Sequence, residues 1–199
     1  MGCVLSGLKW TRTPSKDHVT PEPLLPTLGL TPQQQQLLIE TWELIKQDIA
    51  KVGVIVFIRL FETHPECKDV FFLFHDVDDL KLSKELRAHG LRVLSVVEKS
   101  VARIENVTRL EELLFELGRS HYRYKAPPRY YQYVGMEFLS AIRPILKEKW
   151  TPEVEEVWKV LFTYICAVMK AGYQEEENKH YDEKTPTIKR QAKSQATAM

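Results

Sequence analysis

LSKELRAHGLRVLSVVEKSVARI, residues 82–104, places Leu82, Leu86, His89, Val93, Val96, Val97, Ser100, Val101 and Ile104 mostly three or four positions apart. That spacing lines one face of an α-helix, and it persists for about six turns. A second helix follows. Residues 110–121 repeat the pattern with Leu110, Leu113, Leu114, Leu117 and His121, closing on Leu117-Gly118-Arg119-Ser120-His121. Each stripe is apolar apart from one histidine and, in the first, Ser100.

The flanking segments read the same way. Thr31-Pro32 and Thr151-Pro152 are helix starts: Thr caps free amides, and Pro fits the first helical position, where no N–H is needed. After Thr31 come Leu37, Leu38, Thr41, Trp42 and Ile45 at helical spacing. Val52, Ile55, Val56, Leu60 and Phe61 precede a corner at Pro65. Residues 130–146 carry Phe138, Leu139, Ile142 and Ile145; residues 153–173 carry Val157, Trp158, Leu161, Ile165, Val168 and Met169. No segment alternates with period two for long, so the fold class is all-α. The 8 glycines in 199 residues agree with long helices and leave few phosphate-cradling loops.

The ends differ from the middle. Residues 11–30 hold Pro14, Pro21, Pro23 and Pro26 and read as an extended linker. From Gln174 onward the chain is polar, with Glu175-Glu176-Glu177 and then basic residues, and reads as a solvated, disordered tail. The expected organisation is a leader over 1–30, a helical domain over 31–173 and a tail over 174–199.

Composition excludes several classes. Lys plus Arg is 28 against 27 Asp plus Glu, so no bulk basic field exists to hold nucleic acid. No run of 18 apolar residues is present, so no transmembrane helix is expected. Cys3, Cys67 and Cys166 are scattered without a CxxC, which argues against a disulfide scaffold or a structural zinc site.

Histidine is a poor core residue because its second nitrogen needs a partner that Leu and Val cannot offer. His89 and His121 are satisfied either by backbone carbonyls or by a metal held between the two helices. Zinc would want four ligands, and no Cys or carboxylate cluster surrounds either histidine. Haem iron needs one or two axial ligands and an apolar slot. Phe71-Phe72-Leu73-Phe74, after the Pro65 corner, either wedges a ring against such a cofactor or fills the core. Ser120 either accepts the His121 ring N–H or faces solvent.

At these residues the chain resembles a globin over roughly 31–173. The resemblance rests on Trp42, Phe57, Pro65, Phe71, Ala88-His89-Gly90-x-x-Val93, Leu117-Gly118-Arg119-Ser120-His121, Thr151-Pro152 and Trp158. The runs ending at Phe61 and His121 are similar to neuroglobins, and the long ends with Met1-Gly2-Cys3 are similar to globin X. The resemblance implies a fold of seven to eight helices around haem b, with His121 as proximal ligand and His89 as distal histidine and site of any catalysis. It also implies Phe71 packed on the haem, Phe57 closing the distal side, Leu117 beneath the ring, and Val93, Tyr131 and Val134 lining the pocket. Arg92 and Lys125 lie where cations meet haem propionates, or they are solvated surface charges. It implies six-coordinate bis-histidyl iron that takes O2, NO or CO, with redox, nitrite-reductase or NO-dioxygenase chemistry fed by an unidentified reductase.

Met1-Gly2-x-x-x-Ser6 matches the N-myristoylation pattern, and Cys3 beside it is a palmitoylation site. Two acyl chains hold a protein stably to membrane lipid where one does not. The expected location is the cytosolic face of a cell membrane. In that compartment Cys67 and Cys166 are free thiols by default. The sequon Asn106-Val107-Thr108 then has no glycosylation role. Two other functions stay open: an O2 storage or transport globin with five-coordinate iron, and a haem-free helical membrane adaptor.

Overall fold

The computed structural model describes residues 25–71 and 83–196, with side chains through Tyr181. Gly2, Cys3 and the other residues through position 24, together with Phe72, Leu73, Phe74 and Leu82, lie outside the described residues. Six α-helices are present among the described residues: α1 (Pro32–Ile45), α2 (Ile49–Thr63), α3 (Lys84–Val101), α4 (Val107–Arg123), α5 (Tyr131–Leu146) and α6 (Pro152–Ala196). A 3-10 turn over Pro65–Val70 follows α2 at the expected corner. No strand occurs among the described residues.

The helix starts follow from their capping residues. Thr31 Oγ1 accepts from the Gln34 amide at 3.2 Å while Gln34 Oε1 accepts from the Thr31 amide at 3.0 Å, a reciprocal capping box. Thr151 Oγ1 accepts from the Val154 amide at 3.2 Å. Asn106 caps α4 by accepting from the Arg109 amide at 3.2 Å, which gives the sequon asparagine a structural role.

The core is built around Trp158, which is fully buried. Its ring lies 5.2 Å from Phe138 and 6.3 Å from Trp42, and its Nε1–H donates to Thr41 Oγ1 at 3.1 Å. That bond joins α1 to α6 and satisfies a polar group that burial would otherwise penalise. Helices α2 and α3 touch backbone to backbone at Gly53 and Gly90. A Cβ on Gly53 would lie 2.6 Å from the Gly90 carbonyl carbon. This contact fixes the height of His89, the neighbour of Gly90, against α2.

The packed body is larger than the sequence suggests at both ends. Leu28 is buried in the core, and Leu25 and Leu30 pack against it, so the Pro-rich stretch is not all linker. At the other end, α6 continues past Tyr173 through Ala196 rather than becoming a disordered tail at Gln174. Glu176 is buried there because two arginines of α4 hold its carboxylate. Polar composition suggested solvation, but a carboxylate can be buried when charged, hydrogen-bonding partners meet it.

Candidate functional site

The long stripes separate into two rows on each of the two central helices. On α3 the most buried row is Leu86, Gly90, Leu94, Val97 and Val101, which packs into the core. His89, Val93 and Val96 form the adjacent, half-buried row. On α4 the core row is Leu110, Leu114 and Gly118, and the adjacent row is Leu113, Leu117 and His121. Both histidines therefore stand half-buried on the flank of a buried ridge.

His121 is fixed by its own helix. Its Nδ1 lies 2.8 Å from the Leu117 carbonyl oxygen. A carbonyl only accepts, so the proton is on Nδ1 and Nε2 is left with an unshared lone pair. Ser120, the other expected partner, is not the acceptor. A backbone oxygen one turn back is reached by every helical histidine of suitable rotamer, and no side-chain pattern announces it. The Tyr131 ring stands edge-on to His121 at 5.4 Å, and its hydroxyl donates to the Ala126 carbonyl at 3.1 Å. Burial lowers the pKa of His121, partly opposed by the Leu117 bond, so the ring is neutral at physiological pH.

His89 is held by aromatic rings. Phe57 of α2 and Phe71, at the end of the 3-10 turn, stand edge-on to it at 4.9 and 5.0 Å, and they contact each other at 5.7 Å. Burial pushes its pKa down to about 4, helped by the charge of Arg92 and by the presence of His121. Arg92 Nη2 lies 3.5 Å from His89 Nδ1, a contact too long to lock one tautomer. Val93, Leu117 and Val134 are half-buried around the two histidines' helices, and Arg92 and Lys125 are exposed. Lys125 adopts a left-handed backbone (φ 58°) at the end of α4.

The residues fit a planar metal cofactor. Two neutral imidazoles come from facing helices, one with its lone pair freed by a backbone bond, amid aromatic and aliphatic walls. Among the described residues, no group of three or more His, Cys, Asp or Glu is arranged to hold a metal ion. Cys67 and Cys166 are free, and burial pushes both thiols up to about 11, so they stay protonated.

The globin family model matches residues 55–169, which include both histidines and five of the six helices in whole or part. This chain belongs to the globin family. Its relatives include cytoglobin-1 of Oryzias latipes, 27% identical over 150 residues, covering 73% of this chain and 85% of that protein. Neuroglobin-1 of Oncorhynchus mykiss is 27% identical over 147 residues, covering 72% and 92%. A crystal structure of a hexacoordinated heme protein from an anhydrobiotic tardigrade superposes with a TM-score of 0.70 at 21% identity, covering 74% of this chain and 97% of that one. The globin fold is thus established by sequence and by shape. What the sequence did not signal is Glu176, whose carboxylate reaches the helix of His121 from α6. In this globin its position shows only when α4 and α6 are superposed in space.

Proposed function

We propose that this globin binds haem b, with His121 as the proximal ligand and His89 as the distal one. The observation that carries this is the half-buried His121 ring, whose Nδ1–H is taken by the Leu117 carbonyl so that its Nε2 keeps the lone pair a metal needs. Haem iron supplies a centre that takes O2, NO or CO. The chain's own residues do the rest. Phe57 and Phe71 orient His89; Val93, Leu117, Tyr131 and Val134 exclude water; Arg92 and Lys125 stand outside the slot, where they suit propionates. Burial keeps both imidazoles neutral, as metal ligation requires.

With both histidines as ligands the protein is six-coordinate, and His89 must withdraw before an external ligand enters. Apparent affinity then falls by the fraction of protein that is open. Such behaviour suits redox, NO or nitrite chemistry better than bulk O2 carriage. In the alternative, five-coordinate reading His89 does not ligate the iron and only donates a hydrogen bond to a bound ligand. The visible spectrum of the deoxygenated ferrous protein tests both. Sharp paired bands mean two histidine ligands, a single broad band means five-coordinate iron, and no Soret band refutes haem binding.

The same proposal tethers the globin to the cytosolic face of a membrane. Its support is the Met1-Gly2-x-x-x-Ser6 pattern with Cys3. Among the described residues no helix is long and apolar enough to cross a membrane. A Gly2→Ala variant that sediments with membranes as the native chain does would refute the anchor.

A further inference from the structure

The turn of α4 that carries His121 is gripped from behind by α6. Arg119 and Arg123 stand two residues before and two after His121. Both donate to one buried carboxylate on α6. Glu176 Oε2 accepts from Arg119 Nε at 2.9 Å, and Oε1 accepts from Arg123 Nε at 3.0 Å and Nη2 at 2.9 Å. Arg119 is itself steadied by Glu116 Oε1, 2.5 Å from its Nη1, and by Glu175 Oε2 at 3.6 Å. Above and below this clamp the helices meet closely. Gly118 abuts the Met169 carbonyl, and the Tyr122 ring lies 5.3 Å from Tyr173 and 5.2 Å from His180. None of these α6 side chains is paired with the His121 imidazole.

The two oxygens of Glu176 take side chains one helical turn apart on α4. A two-point hold of that kind resists sliding and rotation of α4 along its axis, which a single ion pair does not. Backbone contact at Gly118 sets the separation of the helices, and the carboxylate sets their register. The His121 ring is rigidly coupled to that register, because its Nδ1 is bonded to the Leu117 carbonyl of the same turn.

We propose that Glu176 is a positioning residue for His121: by holding Arg119 and Arg123 it fixes the register of α4 and so the aim of His121 Nε2. This depends on haem binding at His121. The stretch of α6 beyond Tyr173 is then a brace for the proximal helix. It acts through α4 and touches neither the histidine ring nor the cofactor slot.

The test uses the full chain loaded with haem, in a His89→Leu background that leaves His121 as the only protein ligand. The iron–histidine stretching band of the ferrous protein, read by resonance Raman, reports the proximal bond directly. Glu176→Gln should shift or broaden that band and speed haem loss about tenfold, the effect of weakening one charge-assisted pair. Arg123→Gln, which removes one arm at an exposed position, should move the band in the same direction by less. Glu155→Gln breaks the Lys159 pair elsewhere on α6 and should leave the band where it was. A Glu176→Gln band and haem-loss rate equal to the parent overturn the proposal while leaving the haem assignment intact. An equal shift in Glu155→Gln also overturns it, because the effect is then general to α6. Absence of a Soret band in the native chain overturns both.

Discussion

Gly118→Ala adds one methyl group at the tightest point between α4 and α6. A Cβ built there lies 1.9 Å from the Met169 carbonyl oxygen, 2.7 Å from its carbon and 2.9 Å from its Cα. All three atoms are backbone, so no rotamer change relieves the contact. Cβ contacts under 3.0 Å essentially do not occur, so the helices must separate by about 1 Å. Opposing this, alanine is favoured over glycine inside a helix by about 1 kcal/mol. Overpacking against rigid atoms costs up to about 3 kcal/mol, so the net loss is roughly 2 kcal/mol. Gly135→Ala is the matched control. Its nearest neighbour is the Phe162 side chain, 3.1 Å away, which can shift by a few tenths of an ångström. There the propensity gain offsets most of the strain, and stability should change by less than about 1 kcal/mol. Urea unfolding of the haem-free protein, followed by far-ultraviolet circular dichroism and by the fluorescence of buried Trp42 and Trp158, measures both. Equal effects of the two substitutions, or a stabilised Gly118→Ala, would show that the α4–α6 contact is not backbone-limited. With haem bound, Gly118→Ala should also disturb the proximal bond, since Gly118 lies three residues before His121 on the same turn.

The haem-free protein should lose stability on mild acidification because of His89. Its folded pKa of about 4 lies below the ordinary 6.5, so the unfolded chain takes up the proton first. The contribution is complete above pH 6.5, falls as pH drops, and is gone below about pH 4, amounting to about 3 kcal/mol in all. His89→Leu should flatten that part of the stability profile, and an unchanged acid slope would mean that the ring is not buried. Trp158→Phe removes the Nε1–H donor to Thr41 and leaves unfilled space at the centre of the core. It should cost about 2–3 kcal/mol in urea unfolding, and a loss under about 0.5 kcal/mol would contradict the packing described.

Much of the fold was legible in the chain because helical periodicity is a local property. Thr31-Pro32 and Thr151-Pro152 start helices through atoms within three residues of each other, and the structure forms those caps. The two histidines stood out for the same reason, as polar groups on otherwise apolar stripes. The partition of each stripe was not legible. Leu94 and Val93 are adjacent and similar, yet Leu94 is buried in the core and Val93 only half-buried on the row of His89. Periodicity gives the width of an apolar face but not the angle at which a neighbouring helix meets it. Which acceptor His121 takes was not legible either, because every residue offers a carbonyl and only the rotamer selects that of Leu117 over the Ser120 hydroxyl.

By itself, then, the sequence determined an all-α chain of globin type with two facing histidines, because caps, stripes and misplaced polar residues are written within a few turns. Only the tertiary structure decided how far α6 extends and what it does. Glu176 reads as one of three solvated carboxylates until Arg119 and Arg123, more than fifty residues earlier, are brought against it. The burial of a charge depends on partners distant in the chain, and no local pattern encodes their arrival.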